Sequence, residues 1–289
     1  LEDTVEKPFG NPRLAVLNAD DQSYEFLNDL VKGRKVSYSI SGMGNYNATD
    51  LHYSASGAQF TILSGSDMVP VSCSLPGNYN VSNCLAAFTA AVEGLGVDPH
   101  VTAQGIANLS GVPGRMEFID MGQPFMAIVD FAHTPNALIR AIETAREMTH
   151  GKVITVFGSA GLRDREKRRM MAASSVKMAD ISILTAEDPR TESLEGILAE
   201  MADEAIKEGG VEGKTFFRVP DRGDAIRLGV SMARPGDLVM RCGKGHEQSM
   251  CFGTVEHPWD DRIALRAALA EHLGVEGPEM PYLPTSKDR

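Results

Sequence analysis

Apolar and polar positions in this chain change rhythm about a third of the way along. From Met126 onward, short apolar runs alternate with segments whose apolar residues recur every three or four positions. The runs are MAIVD (126–130), VITVF (153–157), ISIL (181–184), TFFRV (215–219) and DLVMR (237–241). Each gives way to a loop rich in charge or glycine: FAHTP, GSAGLRD, TAEDPR, PDRGD and CGKGHE. Short, continuous apolar runs bounded by turn signals read as strands buried on both faces. Every loop except the last leads into a helix-like segment. The spacing predicts helices at 135–149, 166–178, 193–208, 221–233 and 259–273. The first opens on Thr134 and Pro135, a favoured cap and first-turn pair. Its apolar stripe is Ala137, Leu138, Ala141, Ile142 and Ala145. Strands alternating with helices predict an α/β fold with a Rossmann-like, doubly wound, mostly parallel sheet. In such a sheet the strand-to-helix loops open on one edge, where ligands bind.

Residues 1–111 follow another pattern. Leu14–Leu17 is a short apolar strand, and Asn18-Ala19-Asp20-Asp21 is a turn or cap signal. KVSYSI (35–40), LHYSASGAQFTIL (51–63) and VPVSCSL (69–75) alternate imperfectly between Gly, Asn and Ser clusters, which predicts a small antiparallel sheet. From Val81 to Val92 the spacing turns helical, with Leu85, Phe88, Ala91 and Val92 on one face. Pro99–Leu109 reads as a second helix. Gly111-Val112-Pro113-Gly114 punctuates the chain and divides it into domains at 1–111 and 112–289. The last dozen residues carry three prolines and read as a loose tail.

A length of 289 residues accommodates two cored domains, and 43% hydrophobic with 23% charged residues is ordinary for a globular protein. No apolar run approaches the roughly 20 residues of a membrane span, and no basic-then-apolar leader is seen. A net charge of −11 disfavours bulk nucleic-acid binding. Neither membrane nor nucleic acid is therefore an expected partner. Four scattered cysteines without a C-x-x-C pair suit free thiols in a reducing cytoplasm. Seven histidines without H-x-x-x-H spacing give no metal-ligand pattern, though a magnesium ion held by phosphates leaves none.

Candidate chemistry concentrates at the ends of apolar runs. Asn80 and Asn83 lie one turn apart at a helix start, where two carboxamides can read a purine edge or simply cap the helix. Arg115, at the domain boundary, suits a phosphate clamp or an interdomain ion pair. Asp130 can accept from ribose hydroxyls, and His133 can stack on a base or move a proton; a D-x-x-H helix cap is the plainer reading. The 158–164 loop can offer N–H groups to an anion. It lacks both the G-x-G-x-x-G and the G-x-x-x-x-G-K-[ST] spacings. Arg163 lies in that loop, whereas Arg165, Lys167, Arg168 and Arg169 read as a solvated helix face. Asp188-Pro189-Arg190 and Gly243-Lys244-Gly245-His246-Glu247 end two further strands. An Arg in one loop and a Glu in another can grip the carboxylate and ammonium of one zwitterion, each charge-assisted hydrogen bond contributing about 1.5–3 kcal/mol.

Taken in order, L-N-A-D-D, P-G-N-Y-N-V-S-N-C-L-A-A, G-R-M-E, D-F-A-H-T-P, a G-x-R-D loop, D-P-R and G-K-G-H-E resemble the Mur ligases of peptidoglycan synthesis. The likeness is strongest to the MurE type, the UDP-N-acetylmuramoyl-tripeptide synthetases, and runs from about Leu14 to Leu273. It implies that 1–111 is part of the central ATP-binding domain and 112–289 the amino-acid-binding C-terminal domain. ATP and Mg2+ are the implied cofactors. A UDP-muramoyl dipeptide and a free diamino acid are the implied partners, joined through an acyl phosphate in the cytoplasm. By motif, Asn80 and Asn83 resemble the adenine-binding asparagines, and Arg115 the hinge arginine that contacts nucleotide phosphates. Asp130 resembles the ribose-binding aspartate, with His133 beside it. Arg163, Asp188, Arg190, Gly243 and Glu247 match positions that hold the incoming diamino acid.

Two departures qualify the likeness. Members that add diaminopimelate usually read D-N-P-R, whereas this chain has Glu187-Asp188-Pro189-Arg190. Arg190 favours a substrate with a distal carboxylate, such as meso-diaminopimelate, and Asp188 leaves lysine and ornithine open. The family's UDP-sugar domain and its G-x-x-G-K-[ST] phosphate loop with the magnesium ligands lie upstream of the L-N-A-D-D strand. The resemblance therefore puts the catalytic residues upstream of Leu1. The chain is expected to be a ligase fragment that has no catalytic residue of its own, is inactive alone and completes its site with the preceding part of the same protein. Residues 1–111 are expected to keep an exposed strand edge. Competing readings are a naturally short, non-catalytic binding subunit for an amino acid or nucleotide, and a ligase like folylpolyglutamate synthase. A nucleotide-binding dehydrogenase is disfavoured by the lack of G-x-G-x-x-G.

Overall fold

In the computed structural model, which describes residues 14–54 and 57–286, the chain falls into two units that part between Gly111 and Val112. Leu1, upstream of which the catalytic residues are expected, lies outside the described residues. The first unit contains β1 (Leu14–Asn18), α1 (Tyr24–Leu30), β2 (Arg34–Ser39), β3 (Tyr46–Ser54), β4 (Gly57–Ser64), β5 (Asp67–Cys73), α2 (Asn78–Thr89) and α3 (Pro99–Ala107). One sheet runs in the order β1-β2-β3-β4-β5. It is mixed, not purely antiparallel. β1 pairs with β2 and β2 with β3 in parallel, and only β3-β4-β5 form the antiparallel meander.

The 51–63 run is not one strand. Its first residues belong to β3 and its later ones to β4, which pair antiparallel with Ser54 opposite Gly57. Val81, Leu85 and Phe88 of α2 bury against Phe60, Ile62, Val69 and Val71, so the helix face read from spacing covers the sheet.

The second unit contains β6 (Glu117–Phe118), β7 (Met126–Asp130), α4 (Pro135–Met148), β8 (Val153–Phe157), α5 (Arg165–Met178), β9 (Ile181–Leu184), α6 (Leu194–Lys207), β10 (Phe216–Arg218) and α7 (Arg222–Met232). After these come β11 (Leu238–Cys242), β12 (Ser249–Phe252), β13 (Val255–Pro258) and α8 (Asp261–Leu273). Its main sheet has the order β10-β9-β8-β11-β7-β6. Five of its six strands, β10 to β7 in that order, are parallel, and β6 runs antiparallel at one edge. The helices lie within two residues of the predicted spans. β8 and β11 are buried along their whole length, as continuous apolar runs require.

The chain passes from β7 to β8 over an empty lane and later returns to fill it with β11. That reversal parts the loops at the strands' carboxyl ends and makes room for a ligand. In register, Cys242 stands opposite Asp130, so the loops after β7 and β11 emerge side by side. The β11 loop leads into a β12–β13 hairpin before α8. Among the described residues, no helix is long and apolar enough to cross a membrane.

The tail is not loose up to residue 286. Leu283 is fully buried, and the Thr285 and Ser286 hydroxyls each donate to Asp221 Oδ2 at 2.9 Å. Three prolines restrict the chain without freeing it, because a buried leucine and two hydroxyls hold it down. Leu283→Ala should cost about 2–4 kcal/mol, read as a lower urea midpoint for this unit; an unchanged midpoint would mean the tail contributes nothing.

Candidate functional site

The β9 and β11 loops are fixed from beneath by Arg222, a fully buried residue in the first turn of α7. Its Nη1 donates to Ala186 O at 2.5 Å and its Nη2 to Cys242 O at 2.9 Å, so one guanidinium bridges both loops. Asp261, at the start of α8, pairs with Arg222 at 3.2 Å and accepts from Trp259 Nε1 at 2.5 Å. It also pairs with the buried Arg241 of β11. One carboxylate thus faces two guanidiniums. Burial lowers Arg222 to about 10 against the pull of Glu187 and pushes Arg241 well below its ordinary value.

Above this network lies a cleft of about 350 Å³. It is lined by Phe131 and His133 after β7, Arg163 and Asp164 after β8, Glu187, Asp188 and Arg190 after β9, and Gly243 and Glu247 after β11; Lys167 of α5 also reaches it. Six sequence-derived candidates share it: His133, Arg163, Asp188, Arg190, Gly243 and Glu247.

Their states differ. Arg163 is exposed and has no partner among the described residues. Arg190 is half-buried and spends only Nη1 on the protein, donating to Gly161 O at 2.9 Å. Its backbone ties the β9 loop to β12 through Cys251 O and Gly253 N. Asp188 has both oxygens engaged. Lys244 Nζ donates to them at 3.0 and 3.1 Å, and Cys251 N donates to Oδ1 at 2.9 Å. The same Lys244 pairs with Glu247 at 2.6 Å.

Leu162, Asp188 and Arg190 all have positive φ, at 56°, 38° and 53°. Non-glycine residues rarely take this left-handed region, and such strain gathers where surroundings fix a loop for function. Gly243 has φ 115°, and a Cβ there would lie 2.3 Å from Glu187 Oε2, so only glycine leaves room for that carboxylate.

A second cluster adjoins the cleft through Phe131 and His133. Asp130 ends β7, buried, and accepts from Met116 N and Ala132 N at 2.8 Å each. Burial raises its pKa against those hydrogen bonds and the charge of Arg115. The Arg115 guanidinium lies 4.5 Å from the Phe131 ring centroid, a cation–π contact. His133 and His246 pack on the same ring at 4.5 and 5.1 Å. Gly114 brings Arg115 into this group: a Cβ there would fall 2.2 Å from the Gly245–His246 backbone.

Asn80 and Asn83 belong to the first unit. Asn80 is buried, donating to Pro76 O at 2.8 Å and accepting from Asn83 Nδ2 at 3.2 Å. Asn83 is exposed at the helix start. Among the described residues no cluster of His, Cys, Asp or Glu forms a metal cage.

Sequence reasoning missed Glu187, Lys244 and Arg222 as site residues. Glu187 is buried, with Oε2 lacking a hydrogen-bond partner among the described residues. Burial pushes its carboxyl up to about 7, opposed by Arg222, Lys167 and Lys244. Its position at a strand end was the available signal.

Residues 6–91 match the Mur ligase middle domain, and residues 114–245 match the Mur ligase glutamate ligase domain. The chain belongs to the Mur ligase family. It is 40% identical over 273 residues to a UDP-N-acetylmuramyl-tripeptide synthetase of Roseiflexus sp. (strain RS-1), covering 93% of this chain and 53% of that protein. It is 36% identical over 262 residues to a UDP-N-acetylmuramoyl-L-alanyl-D-glutamate–2,6-diaminopimelate ligase of Geobacillus thermodenitrificans (strain NG80-2), covering 90% and 52%. A solved diaminopimelate ligase of that name superposes with TM-score 0.60 at 33% identity, over 90% of this chain and 54% of the other. Folylpolyglutamate synthase of Mycobacterium tuberculosis, complexed with ADP and AMPPCP, shares the fold alone, with TM-score 0.64 at 13% identity over 92% and 56%. The chain spans about half the length of the curated relatives it matches.

Two outcomes follow from the buried charges. Arg222→Met leaves Asp261 with Arg241 and frees both loops; breaking such a pair should cost about 3–5 kcal/mol, visible as a lower unfolding midpoint with early hydrogen exchange at residues 186–190 and 243–247. Glu187 has a folded pKa raised above its ordinary 4.5. Its contribution to stability is therefore full below that value and lost as pH rises through about 7. Glu187→Gln should match the wild type in melting temperature near pH 4 and exceed it near pH 8. A constant difference across that range would contradict the assignment.

Proposed function

We propose that this chain is the amino-acid-binding and nucleotide-contacting part of an ATP-dependent amide ligase. The enzyme joins a diamino acid, with meso-diaminopimelate favoured over lysine and ornithine, to UDP-N-acetylmuramoyl-L-alanyl-D-glutamate in cytoplasmic peptidoglycan synthesis. The observation that carries the reading is the shared cleft of Arg163, Arg190 and Glu247, whose charges come from three separate strand ends. Arg163 has no partner among the described residues, and Arg190 keeps N–H groups open for a carboxylate. Glu247 offers an acceptor to an ammonium while Lys244 orients it. Two cations and an acid around so small a volume suit a zwitterion better than a simple anion. The relatives that carry the diaminopimelate name support the choice of substrate.

Asn80, Asn83, Arg115, Asp130 and His133 are the residues that would hold ATP, which supplies the phosphoryl group that turns the acceptor's carboxylate into an acyl phosphate. The buried acceptor Asp130 and the guanidinium stacked on Phe131 suit a ribose and a phosphate chain respectively. Mg2+, the other implied cofactor, would be held chiefly through the nucleotide's phosphates. The chain's own residues bind and orient the amine; the carboxylate partner is activated elsewhere.

The test is phosphate release by the protein as the cell makes it, with meso-diaminopimelate, lysine and ornithine each as the amine. Arg190→Ala and Glu247→Gln should each raise the amino-acid KM about 10- to 100-fold, the loss of one charge-assisted hydrogen bond, with little change in the ATP KM. Equal effects on both constants would overturn the assignment.

A further inference from the structure

Arg163 reaches the cleft without a side-chain partner among the described residues, so its place there depends on the backbone that carries it. That backbone is docked on the loop after β9 at two successive residues. Gly161 N donates to Asp188 O at 2.9 Å, and Gly161 O accepts from Arg190 Nη1 at 2.9 Å. Leu162 N then donates to Glu192 Oε2 at 2.9 Å. The approach is close: a Cβ on Gly161 would fall 2.0 Å from Pro189 O and 3.1 Å from Glu192 Cβ. Leu162 has φ 56° and a side chain 64% exposed, so burial of the leucine does not account for its left-handed backbone. The bond from its N–H to Glu192 does. We propose that Glu192 is a positioning residue of the amino-acid site, acting through the backbone of Leu162 to set where Arg163 stands in the cleft. This rests on reading the cleft as an amino-acid site.

Glu192 is itself fixed from the interior. Arg168, which its sequence run assigns to a solvated helix face, is fully buried on α5. Its Nη1 and Nη2 donate to Glu192 Oε1 and Oε2 at 2.9 and 3.0 Å. This paired geometry fixes the plane of the carboxylate as well as its distance. Glu200 of α6 accepts a further bond from Nη1 at 3.1 Å. Hydrogen bonding to Arg168 holds the Glu192 carboxyl down to about 2 against its partial burial, so at neutral pH it is an ionised acceptor. The contacts thus run from a buried guanidinium, through one carboxylate, to a peptide N–H, and one residue later to a cation in the cleft. Glu192 does not line the cleft. Its effect there comes through placement, and a misplacement of about 1 Å can cost as much as about 100-fold in catalysis.

Phosphate release by the protein as the cell makes it, with meso-diaminopimelate as the amine, tests the proposal. Glu192→Ala removes the acceptor and should raise the amino-acid KM about 10-fold, with little change in the ATP KM. Glu192→Gln keeps a carbonyl acceptor for Leu162 N and should return KM close to the wild-type value, although Arg168 loses a charge partner and the melting temperature falls. A KM as high in Glu192→Gln as in Glu192→Ala makes Glu192 a partner of Arg168 only and overturns the proposal. Arg163→Met should itself raise the amino-acid KM, and adding Glu192→Ala to it should raise KM no further. Effects that multiply overturn the action through Arg163 and leave the amino-acid site standing. An amino-acid KM that Arg163→Met leaves unchanged overturns the amino-acid reading itself. One further measurement needs no variant. In the wild-type chain the Leu162 amide should exchange slowly with solvent despite the exposed side chain; free exchange there overturns the tie to Glu192.

Discussion

The buried guanidinium of Arg222 is the constraint on which the rest of the second unit depends. It holds carbonyls of two loops that follow different strands, and it can do so only because Asp261 accompanies it into the interior. An ion pair of this kind is a poor source of net stability, because both charges lose their hydration. Its value lies in geometry: Glu187 follows directly on the accepting carbonyl of Ala186, and Gly243 follows directly on that of Cys242. A hydrophobic replacement could fill the space without fixing the distance between those loops.

The cleft is therefore built from below by hydrogen bonds and held from above by strain. Asp188 and Arg190 sit in left-handed backbone conformations that bonds to Lys244, Cys251 and Gly253 maintain. Lys244 of the β11 loop pairs with Asp188 of the β9 loop and with Glu247 of its own loop, so one ammonium ties the two loops together and holds a neighbouring acid. The sheet order makes this possible, since the late return of β11 into the middle of the sheet brings the end of the second unit's fifth parallel strand beside that of its first.

Much of this was legible in the sequence, for identifiable reasons. Buried parallel strands are continuous apolar runs, and the stripe of α4 and the capped start at Thr134 mark a helix plainly. The first unit was harder to read. β1 pairs in parallel with β2 across an intervening helix, a relation no local pattern encodes, and the 51–63 run holds the end of one strand and the start of the next. The loops of the cleft could be found because they end strands. What each side chain does there could not. Arg222 in PDRGD reads as surface charge, and Asp188 reads as free until Lys244, 56 residues away, is seen to hold it. Buried polar networks join residues distant in sequence and leave no periodicity.

The fastening of the tail reaches further than its own residues. Asp221, which accepts from Thr285 and Ser286, is also the cap of α7, and the next residue is Arg222. A contact nearly forty residues beyond the last cleft loop thus steadies the helix start from which that guanidinium projects. A fusion partner or proteolytic nick that disturbed residues 283–286 would act on the geometry of the cleft without touching it, and a change in the cleft from so remote a lesion would be mechanical, not chemical, in origin.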